Sequence, residues 1–186
     1  MLSTNIKEAT KSAHLNLEKK VIEKMKAIRS NADYADFLKC FYTYFSQIEK
    51  AIAPYITVEL LPDYKERRNS SYLKRDIEAL NSTVEDISTV QIPEIRNQLQ
   101  ALGALYVMEG SIMGGSIIVK MLEKGGITNG ISFFSGYGEE TGQKWSTFIA
   151  VMNQQAITPE QQQVAMEAAN ETFALFGNVF DEVTTD

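Results

Sequence analysis

Histidine and cysteine are almost missing from this chain, with one of each among 186 residues, His14 and Cys40. A lone cysteine excludes an intramolecular disulfide framework and fits a reducing compartment. Together the two counts exclude mononuclear zinc hydrolases, which need several His and Cys ligands. No Glu-x-x-His occurs, so a di-iron bundle that repeats this motif on two helices is excluded too. The phosphate-cradling pattern G-x-x-x-x-G-K-[ST] is lacking. Serine or cysteine catalysis would have to recruit His14, and Cys40 falls on an aromatic helix face that reads as core. No run alternates with period two over a useful length, and there is neither an internal repeat nor a low-complexity tract.

Charge is plentiful and unevenly spread. The chain carries a net charge of -6, yet its first thirty residues hold an excess of Lys and Arg over Glu. A basic segment in an acidic protein suits an anionic ligand or an acidic partner protein, and equally reads as a solvated helix face. The acidic balance, with no zinc-finger spacing or Gly-aromatic RNA-binding signature, argues against nucleic acid. The opening "MLSTNIKEATKSAH" is charged from Lys7 onward and has no apolar core of signal-peptide length, so a cytoplasmic protein is expected.

Helical periodicity dominates. Ser3 or Thr4 can cap a first helix in which Ile6, Thr10, Ala13, Leu17, Val21, Met25 and Ile28 share a face. Tyr34, Phe37, Leu38, Phe41, Phe45, Ile48 and Ile52 mark a second, closed by Pro54. A short helix follows in "YLKRDIEAL". Pro93 then opens a long apolar segment to about Lys124, and another helix passes through Trp145 and Met152. Thr158, Pro159 and Gln161 form a capping box for the last helix, expected to run to about Phe180. Residues 1–186 therefore read as one all-α domain of about six main helices.

Within the long apolar segment, "ALGALYVMEGSIMGGSIIVKML" carries Gly103, Gly110, Gly114 and Gly115. Each glycine in a helix interior costs about 1 kcal/mol relative to alanine. Gly103, Gly110 and Gly114 fall on one narrow face, with Ser111 beside them. Such a bare face admits either a tightly packed helix or a flat ligand, and the Gly114–Gly115 pair is a recognised cause of a kink. A membrane-spanning GxxxG helix is a third reading by length. Glu109 near its middle and Lys120 near its end argue against membrane insertion.

His14 sits at the edge of the first helix's apolar face, four residues before Glu18. That spacing lets the carboxylate reach the imidazole Nδ1–H, leaving Nε2 free as a metal ligand. The competing reading is a half-buried histidine satisfied by its neighbour. A histidine that serves as sole protein ligand points to haem, whose porphyrin supplies the other four nitrogens.

"IKEATKSAHLNLE", followed some ninety residues later by "LYVMEGSIMGGSII", resembles the paired signature of the haem oxygenase family. "FFSGYGEETGQKW" and "ANETFALF" resemble its bacterial members in particular, so the likeness covers most of the chain. It implies an all-α, single-domain bundle with the ligand sandwiched between a proximal N-terminal helix and a kinked, Gly-rich distal helix. It also implies oxidative cleavage of haem, at once substrate and cofactor, to biliverdin, CO and free iron. The alternative is a non-catalytic haem- or bilin-binding protein that keeps the pocket without the turnover.

Carried over residue by residue, the resemblance makes His14 the axial ligand of haem iron and Glu18 its hydrogen-bond partner. Gly110, Ser111 and Gly114 become the catalytic distal segment, and Gly115 the last of its glycines, against the substrate. Lys7 and Tyr106 become contacts to the propionates. Ser111 stands where many animal members have an aspartate. No arginine occupies the propionate-binding place after Trp145, where Lys144 is the nearest substitute. Electrons must come from an external donor protein such as a ferredoxin or flavodoxin, for which the basic first helix is a docking surface.

Overall fold

Eight α-helices and no strand make up the described part of the chain, residues 1–181 of a computed structural model. They are α1 (Leu2–Ala9), α2 (Lys11–Lys26), α3 (Asn31–Ile52), α4 (Ser70–Ala79), α5 (Gln98–Met113), α6 (Gly115–Lys124), α7 (Thr141–Gln155) and α8 (Pro159–Asp181). The all-α expectation holds. Two of the expected helices are each divided in two.

The first division falls at Thr10. Its backbone N–H and its hydroxyl both donate to the Ile6 carbonyl, at 2.9 and 2.6 Å. A hydroxyl bonded back to its own helix competes with the backbone ladder and bends it. The second falls at Gly114, where the glycine pair stands. The long segment also starts later than Pro93. Asn97 caps it, its side chain accepting from the Gln100 N–H at 2.9 Å, so residues 93–97 remain irregular. At α8 the capping box forms as expected. The Thr158 hydroxyl accepts from Gln161 N at 3.2 Å, and the Gln161 side chain accepts from Thr158 N at 3.0 Å.

Helix α8 is the common neighbour, packing on α1, α2, α3 and α5. Against α3 it builds an aromatic core. Tyr44 and Phe176 stack with centroids 4.9 Å apart and planes 3° from parallel, and the Tyr44 hydroxyl donates to the Thr172 carbonyl at 2.8 Å. Phe41 meets Phe134 and Phe176 edge-on. Each such ring contributes about 1.5–3 kcal/mol by burial, which is why this side of α8 is closed and fixed.

Phe134 belongs to the connection between α6 and α7, and that connection is anchored. The buried Asp76 carboxylate accepts from Ser132 N at 3.1 Å, Ser132 Oγ at 2.6 Å and Phe133 N at 2.9 Å. Gln98–Lys124 is long and apolar enough to span a membrane by length and composition. About half of it is buried within the protein, and the Gly114 break divides it.

Candidate functional site

Helix α8 can be used as a ruler for the two segments the sequence singles out. Along it, Asn5 bonds Gln162 (2.7 Å) and Asn170 donates to the Ala9 carbonyl (3.1 Å). The His14 ring then lies 5.4 Å from that of Phe173, and Lys20 reaches the Gly177 carbonyl at 3.4 Å. So α1 and α2 run in the direction of α8. Helix α5 does the same. Gly103 lies against Ala165, Ala168 and Ala169, and the Tyr106 hydroxyl is near the side chain of Thr10, next to Ala9. Seven residues beyond Gly103, about 10 Å of helix, Gly110 comes level with the part of α8 that holds Phe173. His14 and Gly110 therefore face the same level of the bundle from two different helices.

No Cα of α2 lies within 8 Å of one in α5, while both helices pack on α8. His14 is exposed, as are Leu15 on α2, Met113 at the end of α5 and Ile117 on α6. Two clefts elsewhere on the surface, one beside Tyr64 and Arg68 and one beside Asp63 and Lys144, are lined by neither His14 nor Gly110.

The four glycines fall into two kinds. A Cβ on Gly103 would stand 2.3 Å from the Ala165 carbonyl oxygen, and one on Gly115 would stand 2.1 Å from that of Phe134. Both are packing glycines. Gly103 thus leaves the bare face expected of it, and Gly115 is buried against the Phe134 backbone and does not face a ligand. At Gly110 the nearest atom to an added Cβ is the Trp145 ring edge at 3.9 Å, and at Gly114 only its own helix's Gly110 carbonyl, at 3.6 Å. Gly110 and Gly114 are the glycines no packing explains.

The other expected residues are distributed as follows. Glu18 is exposed and makes no hydrogen bond to His14 among the described residues; the ring beside the imidazole is Phe173. The Ser111 hydroxyl donates to the Val107 carbonyl at 3.0 Å, one turn back on its own helix. Lys7 is exposed on α1. Tyr106 packs on Trp145, centroids 5.5 Å apart, and burial pushes its phenol up against the pull of the Thr10 hydrogen bond. Lys144 is committed elsewhere, donating to Asp63 Oδ2 at 2.7 Å.

Sequence reasoning missed what lies behind Gly110. Arg67 is 1% exposed and Glu109 4%. The Arg67 guanidinium donates to Glu109 Oε2 (2.9 Å), Asp63 Oδ1 (2.9 Å) and the Lys144 carbonyl (3.1 Å). Burial pushes the Glu109 carboxyl up, and Arg67 with the Tyr137 hydroxyl pulls it back. A glutamate inside an apolar helix was itself the signal, since a buried charge needs a partner. What the sequence withheld was which of its cations that partner would be.

Comparison with known proteins agrees with this geometry. The family model described as "Heme oxygenase" matches residues 1–182. A heme oxygenase of Xanthomonas campestris is 26% identical over 145 residues, 77% of this chain and 86% of that protein. Heme oxygenase PigA of Pseudomonas aeruginosa is 23% identical over 175 residues, 92% of this chain and 87% of that protein. The crystal structure of NO- and CO-bound heme oxygenase from Neisseria meningitidis superposes with a TM-score of 0.83 at 20% identity, covering 98% of this chain and 91% of that one. With a family match along nearly its full length, the chain belongs to the haem oxygenase family of haem-degrading oxidoreductases.

Proposed function

We propose that this protein seats haem in the gap between α2 and α5, with His14 as the axial ligand, and cleaves it to biliverdin, CO and iron. The observation that carries this reading is the shared level of His14 and Gly110 along α8, on helices with no Cα pair within 8 Å of each other. The residues present suit a flat, amphipathic, dianionic molecule. Leu15, Met113 and Ile117 offer apolar surface, Gly110 and Gly114 leave room for a face, and Lys7 with Tyr106 serves the propionates. Haem bound there supplies iron for oxygen activation and the ring that is opened.

The chain's own residues supply ligation, aim and water. Phe173 holds the imidazole plane of His14, taking the orienting part expected of Glu18. The bare stretch at Gly110 and Gly114 lets ordered water stand close to the reacting edge, where it can donate hydrogen bonds and protons. Ser111, bonded to Val107, lends that water its hydroxyl oxygen as an acceptor. Electrons come from an external donor such as a ferredoxin or flavodoxin, docking on the basic face of α1 and α2, where Lys7, Lys11, Lys19 and Lys26 are exposed. The protein works in the cytoplasm, bound to neither nucleic acid nor membrane.

The test is spectroscopic. Haemin added to the purified protein should give a Soret band, and ascorbate or reduced ferredoxin under air should replace it with biliverdin absorption. A Soret band that survives reduction and air would leave haem binding without turnover. No Soret band at all would sink the proposal.

A further inference from the structure

We infer that Arg67 is a positioning residue that holds the wall beside the bare face of α5 and thereby sets which meso edge of a bound haem is cut. The inference rests on the haem-cleaving reading above and goes beyond it by naming what fixes the product isomer. Gly110 and Trp145 bound the gap on one side, with 3.9 Å between the ring edge and the place a Gly110 Cβ would take. Each is tied to Arg67 through its chain neighbour. Glu109, immediately before Gly110, accepts from Arg67 Nη1, and the carbonyl of Lys144, immediately before Trp145, accepts from Arg67 Nη2.

One guanidinium thus ties both sides of this wall to each other. Its third bond, from Nε to Asp63, roots it in the turn before α4, and Asp63 also accepts from the Lys144 ammonium. A planar fork of donors has the shape for this, because its N–H groups point in fixed, diverging directions. A lysine keeps the charge but ends in a single nitrogen and cannot hold all three acceptors in the same geometry. Trp145 also packs on Tyr106 and Phe148, so a shift at Lys144 passes to the side of the gap where the propionates would lie. A misplacement of about 1 Å at a reacting position can cost about a hundredfold in rate, so a shifted wall changes the ratio in which the ring edges react.

The experiment compares wild type with Arg67→Lys and Glu109→Gln. Biliverdin isomers are separated after turnover of the haem complex, and amide hydrogen exchange is measured on the ligand-free protein. For Arg67→Lys the isomer ratio should change by at least about threefold, and amides 110–115 should exchange at least about tenfold faster while those of α3 keep their rates. Glu109→Gln retains an acceptor for Arg67 and should move both readouts the same way by less. It also stands in if Arg67→Lys does not fold. An isomer ratio equal to wild type in both variants overturns the inference, as does exchange that speeds up equally throughout the protein. If wild type makes no biliverdin, it is the functional reading that fails. The exchange comparison then decides the wall by itself, local acceleration keeping it and uniform acceleration removing it.

Discussion

Gly103 and Gly110 lie seven residues apart on one face of the same helix, and they are there for opposite reasons. At Gly103 an added methyl would run into the backbone of α8; at Gly110 it would meet nothing nearer than 3.9 Å. One glycine lets two helices touch, and at the other the place of a side chain is left open. Packing and vacancy leave the same mark in a sequence, because both ask only for the smallest residue. The neighbours tell them apart, and those neighbours come from α8 and α7, far along the chain.

The widest separation between the two sites should be in stability. Gly103→Ala forces the Ala165 carbonyl to move and should destabilise the fold by about 1–3 kcal/mol, the usual range for overpacking. Gly110→Ala has room, and alanine is the better helix former, so stability should rise by up to about 1 kcal/mol. Urea denaturation of the two variants measures both. Equal losses would mean that the two glycines are of one kind after all.

Ligand binding should reverse the order. Gly110→Leu fills the space without touching α8, so helix content should be kept while haemin affinity falls by at least about tenfold, about 1.4 kcal/mol. On the opposite side of the gap, His14→Ala should change the axial-ligand spectrum and weaken haemin to a similar degree. Because His14 is exposed, its loss should leave stability within about 0.5 kcal/mol. Phe173→Leu should alter the iron–histidine signal more than Glu18→Gln does, since it is Phe173 that touches the imidazole. A Gly110→Leu protein that binds haemin as wild type does would remove the gap from the site.

Much of this was readable before any coordinates. The helix count was nearly right because apolar period and caps are local, as at Ser30, whose side chain accepts from Asp33 N, and at Thr158. The kink at Gly114 followed from a glycine pair. His14 and the Gly110 segment stand out as candidates by resemblance and by the scarcity of histidine. The break at Thr10 was not, since a threonine on an apolar face looks like any other core residue until its hydroxyl turns back on Ile6. Nor was the separation of Gly115 from Gly114, which depends on the carbonyl of Phe134 in the loop before α7. The buried place of Arg67 was hidden by its setting in "ELLPDYKERRNSS", a stretch whose composition reads as solvated connection.

The last difference between the two glycines concerns what holds their surroundings, and it should show in pH. Around Gly103 the contacts are Ala165, Ala168 and Ala169, which do not titrate. Behind Gly110 stands the cluster of Asp63, Arg67, Lys144 and Glu109. Partial burial of Asp63 works against its charge, yet hydrogen bonds from Arg67 and Lys144 outweigh this and hold the carboxyl below its ordinary 3.8. A depressed carboxyl pKa contributes stability that is present above the unfolded value and is lost as pH falls through the folded one. Asp63→Asn should therefore destabilise the protein at pH 7 by about 1 kcal/mol, modest because the group is partly open to solvent. That penalty should shrink as the pH is lowered below 3.8, where protonation begins to remove the same charge from wild type. Gly103→Ala should show a penalty that does not change over the same range. Denaturation of both variants at pH 7 and near pH 3 makes the comparison, and a penalty for Asp63→Asn that stays constant with pH would mean that the ion cluster is not what holds the wall beside Gly110.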